Sequence, residues 1–99
     1  ISKRKLAKIY EEFFKTQEYT FFKEPKLSKS NYWLNTLLLK DKRQRDKFLK
    51  ETNSNNVMTR PIWIMMHKLP MFEHAQCGDL TNSKWLNDRV VNIPSSVVI

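Results

Sequence analysis

Glycine is almost missing from this sequence: Gly78 is the only one in 99 residues. Average usage supplies about seven, and a loop that cradles phosphate on backbone N–H groups needs two or three close together. The chain therefore carries no nucleotide loop of its own. Cysteine is as scarce. Cys77 stands alone, so no internal disulfide can staple a small secreted scaffold. The longest apolar runs, Leu37 to Leu39 and Ile62 to Met66, fall far short of the ~20 residues that cross a bilayer. No signal peptide is visible, and the first residue is Ile1 rather than Met, as expected of a processed product or an excised fragment. Metal-ligand spacing is thin: His67, His74 and Cys77 lie near one another without a CxxC pair or an HExxH helix, and no metal centre is expected. Cys77 also lacks a base held by an orienting partner, so no nucleophile is read there.

Positive charge and large rings are present in quantity. The net charge is +8, and residues 1–50 carry all of it, with 14 Lys or Arg against 6 acids; the remainder holds 4 and 4. A basic half can engage nucleic acid or another anionic surface. These lysines, however, are scattered singly among Glu and Asp, the pattern of a solvated face. Three Trp, three Tyr and six Phe point to a core built on rings.

The patterning reads as an α+β domain. Leu6, Ile9, Tyr10, Phe13 and Phe14 form one stripe of an amphipathic helix over 3–16, with Ser2 as its N-cap and Lys8–Glu12 and Glu11–Lys15 spaced as surface pairs. Tyr19 to Phe22 and Asn31 to Leu39 read as strands, the second with one face more deeply buried. A charged helix over 41–52, capped by Asp41, ends at Asn53 to Asn56, where asparagine replaces the missing glycine as a left-handed stop. Val57 to Thr59 reads as a short strand ended by Pro61. Residues 61–79 read as irregular yet apolar, 82–91 as a last helix capped near Thr81 or Asn82, and 92–99 as an extended tail. The expected architecture is a small, mostly antiparallel sheet of about three strands with helices packed on one face.

Arg60 is the residue of most chemical interest. It stands at a strand end before Pro61, with Trp63 and His67 close behind. Arginine there grips a carboxylate or phosphate bidentately, or pairs structurally with a nearby acid or carbonyl. Trp33, Trp63 and Trp85 read as core anchors in preference to the alternative of ligand stacking, and Met58, Met65, Met66 and Met71 read as packing residues.

Several segments resemble a known family. Lys3-Arg-Lys-Leu-Ala7 with Tyr10 and Phe14 resembles the helix that opens the small domain of DegT/DnrJ/EryC1/StrS sugar aminotransferases, which use pyridoxal phosphate. Ser30 to Asn35, Met58 to Trp63, Leu69 to Phe72 and Asn92 to Ser96, in that order, resemble the LegC-like branch of nonulosonic acid biosynthesis. The resemblance implies the small domain, 1–99, at the C-terminus of a longer cytoplasmic enzyme. The missing large domain would supply the Schiff-base lysine, the aspartate for the pyridine nitrogen and the phosphate cup. This chain alone is then expected neither to hold the cofactor tightly nor to transaminate, and no residue of it is catalytic. It implies a nucleotide-linked 4-keto sugar as substrate, glutamate as amino donor and a homodimer of the whole enzyme. It places Arg60, Trp63 and His67 toward the substrate, with Asn31 and Tyr32 as further contacts. Two other readings remain open: an independent basic module for nucleic acid, and an interaction domain that uses residues 61–72 on a protein partner.

Overall fold

The computed structural model describes residues 2–97. Three helices accompany a four-stranded antiparallel sheet in the order β1-β2-β4-β3. The elements are α1 (Lys3–Phe14), β1 (Thr20–Phe21), β2 (Asn35–Leu38), α2 (Lys42–Ser54), β3 (Arg60–Pro61), α3 (Thr81–Arg89) and β4 (Val90–Ile93). Two single-turn 3-10 helices, Met66–Lys68 and Pro70–Phe72, interrupt the connection from β3 to α3.

The first helix forms for the expected reasons. Ser2 Oγ accepts the Lys5 N–H at 3.1 Å and caps it. Its apolar stripe brings Ala7, Tyr10 and Phe14 onto the sheet, while Ile9 and Phe13 remain exposed. Phe21, Leu37 and Val91 face one another across three strands, and Leu39 and Ile93 complete the buried cluster. Phe48 and Leu49 of α2 pack on the same cluster. Tyr10, Phe14 and Tyr19 add rings around Phe21, with the Phe14 and Phe21 planes parallel at a centroid separation of 6.5 Å. Asp41 Oδ1 accepts the Gln44 N–H at 2.8 Å and starts α2. Asn56, at φ 63°, turns the chain after it, as the asparagine run predicts. The surface pairs form differently from expectation: Lys15 meets Glu12, and Glu11 reaches Lys23 instead.

The sheet has a fourth strand that the periodicity does not predict. Residues 82–91 read as one helix, but α3 stops at Arg89 and β4 runs at the centre of the sheet between β2 and β3. Val90, Val91 and Ile93 are all buried, so the alternation that signals a half-buried strand is lost. The expected tail is therefore strand up to Ile93, and Val98 and Ile99 lie outside the described residues. The third strand also moves, from 57–59 to Arg60–Pro61. Pro61 does not end it, because β3 is an edge strand where a missing N–H donor is tolerated. No side chain caps α3 directly; Asp79 Oδ1 takes both the N–H and the hydroxyl of Thr81, at 3.0 and 2.6 Å.

A second correction concerns the large side chains. Trp33, Trp63 and Trp85 are 60%, 72% and 46% exposed, so none is a core anchor. Met58, Met66 and Met71 are exposed as well, and only Met65 is partly covered. The rings that build the core are Phe and Tyr, because only these lie on the helix stripe and the strands beneath it. No helix among the described residues is long and apolar enough to cross a membrane.

Candidate functional site

The site begins at the end of α2. The turn at Asn56 lets Val57 N–H return to the Thr52 carbonyl at 2.9 Å, which brings Thr59 back beneath the last turn of the helix. Thr59 is buried there, its hydroxyl 2.6 Å from that of Thr52. The next residue, Arg60, lies opposite Asn92 of β4, and Asn92 Oδ1 accepts from the Thr36 hydroxyl at 2.8 Å. Arg60, Asn92 and Thr36 thus share a row, one residue out of phase with the buried row of Leu37 and Val91. The arginine has no carboxylate partner among the described residues. One Nη donates to Asn53 Oδ1 at 3.0 Å and to its neighbour's carbonyl, Thr59 O, at 2.8 Å. Both acceptors are neutral, so neither compensates the guanidinium's charge.

Arg60 borders a groove of about 990 Å³. Lys3 is the other charged residue on it, and no acid lines it. The walls are apolar: Trp33 and Trp63 stand with ring centroids 6.1 Å apart at 46°, beside Met58 and Leu69. The stretch after β4 closes one end. Ser95 Oγ accepts the backbone and side-chain N–H groups of buried Asn35 at 2.8 and 3.3 Å, and donates to the Ile93 carbonyl. Lys3 Nζ donates to Ser95 O at 2.5 Å, which ties the first turn of α1 to this end. Two cations, exposed indoles and no carboxylate suit a ligand that joins an anionic group to a flat or weakly polar ring.

The groove takes in only part of the residue set expected from the sequence. Arg60 and Trp63 are on it. His67, half-buried, lies instead in a second groove of about 630 Å³ between the 62–77 segment and α3; Trp63 borders both. Asn31 and Tyr32 are on neither. Asn31 Oδ1 accepts the Trp33 N–H at 3.0 Å. Tyr32, in the left-handed region at φ 49°, accepts the Glu24 N–H on its hydroxyl at 2.9 Å, and Arg4 lies over its ring at 5.5 Å. Arg4 in turn grips both oxygens of Glu24, at 2.7 and 2.9 Å, and Glu24 accepts the Ser30 N–H. The Arg4 hydrogen bond, aided by Ser30, holds the Glu24 carboxyl down to about 2. These two residues therefore brace the segment from which Trp33 projects.

Lys3, Trp33, Asn53 and Asn92 contribute to the site without having been expected there. Lys3 and Ser95 are 92 positions apart, and no local pattern joins them. Asn53 reads in sequence only as part of a helix stop. Among the described residues, no three His, Cys, Asp or Glu side chains gather as a metal site. Nor do the grooves fit pyridoxal phosphate: their only lysine, Lys3, is engaged by Ser95 O, and neither offers an acid to the pyridine nitrogen.

Known proteins share this fold. An aminotransferase from Streptoalloteichus hindustanus, TlmJ, superposes with a TM-score of 0.79 over 93% of this chain and 25% of its own, at 16% identity. That likeness is one of fold. GDP-perosamine synthase of Vibrio cholerae is 29% identical over 97 residues, 95% of this chain and 26% of that protein. The chain thus spans about a quarter of the length of each. The family model for DegT/DnrJ/EryC1/StrS aminotransferases matches residues 1–99, and the chain belongs to that family.

Proposed function

We propose that this chain acts as the C-terminal small domain of a longer, pyridoxal-phosphate-dependent aminotransferase that aminates a nucleotide-linked 4-keto sugar for a surface glycan. The LegC-like segments favour a sugar of nonulosonic acid biosynthesis. The observation that carries the reading is the groove beside Arg60, which pairs cations with exposed indoles and contains no acid. A sugar nucleotide has the matching parts: phosphates for a guanidinium, and sugar and base rings for indole faces.

In this reading, pyridoxal phosphate is held by the large domain and supplies the electron sink for nitrogen transfer from a donor such as glutamate. The residues of this chain bind, orient and shield. Arg60 takes a phosphate or the carboxylate of the amino donor. Trp63 packs on the sugar or base, and His67, in the adjoining groove, meets a sugar hydroxyl. Asn31 and Tyr32 act by fixing the Trp33 segment. The exposed apolar side chains from Ile62 to Phe72 pack against the large domain or a second subunit of a cytoplasmic homodimer. Closure of this wall over the substrate excludes water. Alone, the chain is inactive.

The test is Arg60→Ala in the full-length enzyme. The expected result is a fall in kcat/KM of at least about tenfold, the loss of a charge-assisted hydrogen bond in a shielded site. Wild-type kcat/KM for both sugar nucleotide and amino donor removes Arg60 from the site.

A further inference from the structure

Asn53 stands at the last turn of α2, seven residues before Arg60, and its amide can point only one way. The nitrogen faces three acceptors: Leu49 O at 2.7 Å, Thr59 Oγ1 at 3.0 Å and Thr59 O at 3.2 Å. The oxygen is therefore turned to the arginine, whose Nη donates to it at 3.0 Å. Reversing the amide would set its oxygen against two carbonyls and a hydroxyl and its N–H groups against a cation. Thr59 is itself fixed, being buried and joined to Thr52, which hydrogen-bonds Phe48 O at 2.7 Å. The result is a chain of contacts from the helix backbone to the guanidinium.

We propose that Asn53 is a positioning residue for Arg60, fixing the guanidinium against the end of α2 at the border of the groove so that it meets an anionic group already oriented and with its charge uncompensated. The proposal rests on the reading of that groove as an anion site. An asparagine suits the task for two reasons. It presents a neutral acceptor, so Arg60 is steered without being neutralised. It also carries the donors that anchor its own amide to Leu49 and Thr59. A carboxylate here would hold the arginine while cancelling the charge the ligand needs, and its oxygens would face the two carbonyls. Holding the long side chain in place before binding reduces the rotamer entropy lost when the ligand arrives.

A double-mutant cycle on the full-length protein tests this, with inorganic pyrophosphate as the probe and calorimetry as the readout. Arg60→Ala is expected to weaken binding at least about tenfold, and Asn53→Ala by about three- to fivefold. If Asn53 acts through Arg60, adding Asn53→Ala to Arg60→Ala weakens binding no further. Asn53→Asp is expected to weaken binding at least as much as Asn53→Ala, although it keeps an acceptor for the arginine. In steady-state assays Asn53→Ala raises KM for the sugar nucleotide and leaves kcat within about twofold. The single and double variants being additive, or Asn53→Ala binding as wild type, overturns the positioning role while Arg60 keeps its place. Arg60→Ala binding as wild type overturns the groove reading and the positioning role with it.

Discussion

The two faces of the sheet use the same classes of side chain to opposite ends. On the helix side, Phe21, Leu37, Val91 and Ile93 are buried under Ala7, Tyr10, Phe14 and α2. Around the groove that Arg60 and Asn92 border, Trp33, Trp63, Met58, Ile62 and Ile64 remain exposed. A monomer gains nothing from leaving such side chains in water; contiguous apolar surface of this kind belongs to an interface or a ligand groove. The helix side is what keeps the fold, and the open side is what the fold presents.

That contrast predicts unequal responses to truncation. Leu37→Ala on the closed side should cost about 2–5 kcal/mol in urea unfolding, through lost transfer energy and a cavity between the helices and the sheet. Equal costs for Leu37→Ala and Trp63→Ala would break the distinction. Tyr10→Phe comes next. It removes the hydroxyl donated to Pro94 O at 2.7 Å, which ties α1 to the stretch after β4, and about 0.5–1.5 kcal/mol is expected from the same measurement. The Glu24 carboxyl offers a smaller, pH-gated effect. Its folded value of about 2 lies below the ordinary 4.5, so its contribution is complete above pH 4.5 and is lost as pH falls toward about 2. Thermal unfolding of Glu24→Gln and wild type should therefore differ at pH 6 and converge near pH 2; a constant gap removes the linkage. The pair is partly exposed, which keeps the effect modest. Trp63→Ala should move stability least, by about 0.5 kcal/mol or less, since the ring is largely in solvent.

The closed side was the more legible in sequence. Local rules dictate it: a stripe at helical spacing, caps at Ser2 and Asp41, and an asparagine that accepts φ 63° where no glycine stands. The open side depends on distant partners. Strand β4 escapes the periodicity because a central strand buried on both faces does not alternate. The tryptophans read as core because burial of large rings is the usual outcome in a lone domain, and the sequence of one chain does not state what else covers it. Arg60 stood out beside Pro61 and Trp63, yet its support from Asn53 depends on the turn that returns the chain beneath α2. The resemblance in five short segments supplied the family before the fold could, and the family model agrees with it.

The two faces can be set against each other in one measurement: hydrogen–deuterium exchange of the full-length enzyme with and without its sugar nucleotide. Ligand should slow exchange in the segments around Met58 to Ile64 and Asn92 to Ser96, and leave α1 beyond its first turn, and α2 up to the turn that carries Asn53, unchanged. Protection confined to α1 and the outer face of α2, with none around Arg60, would contradict the assignment of the open face to function.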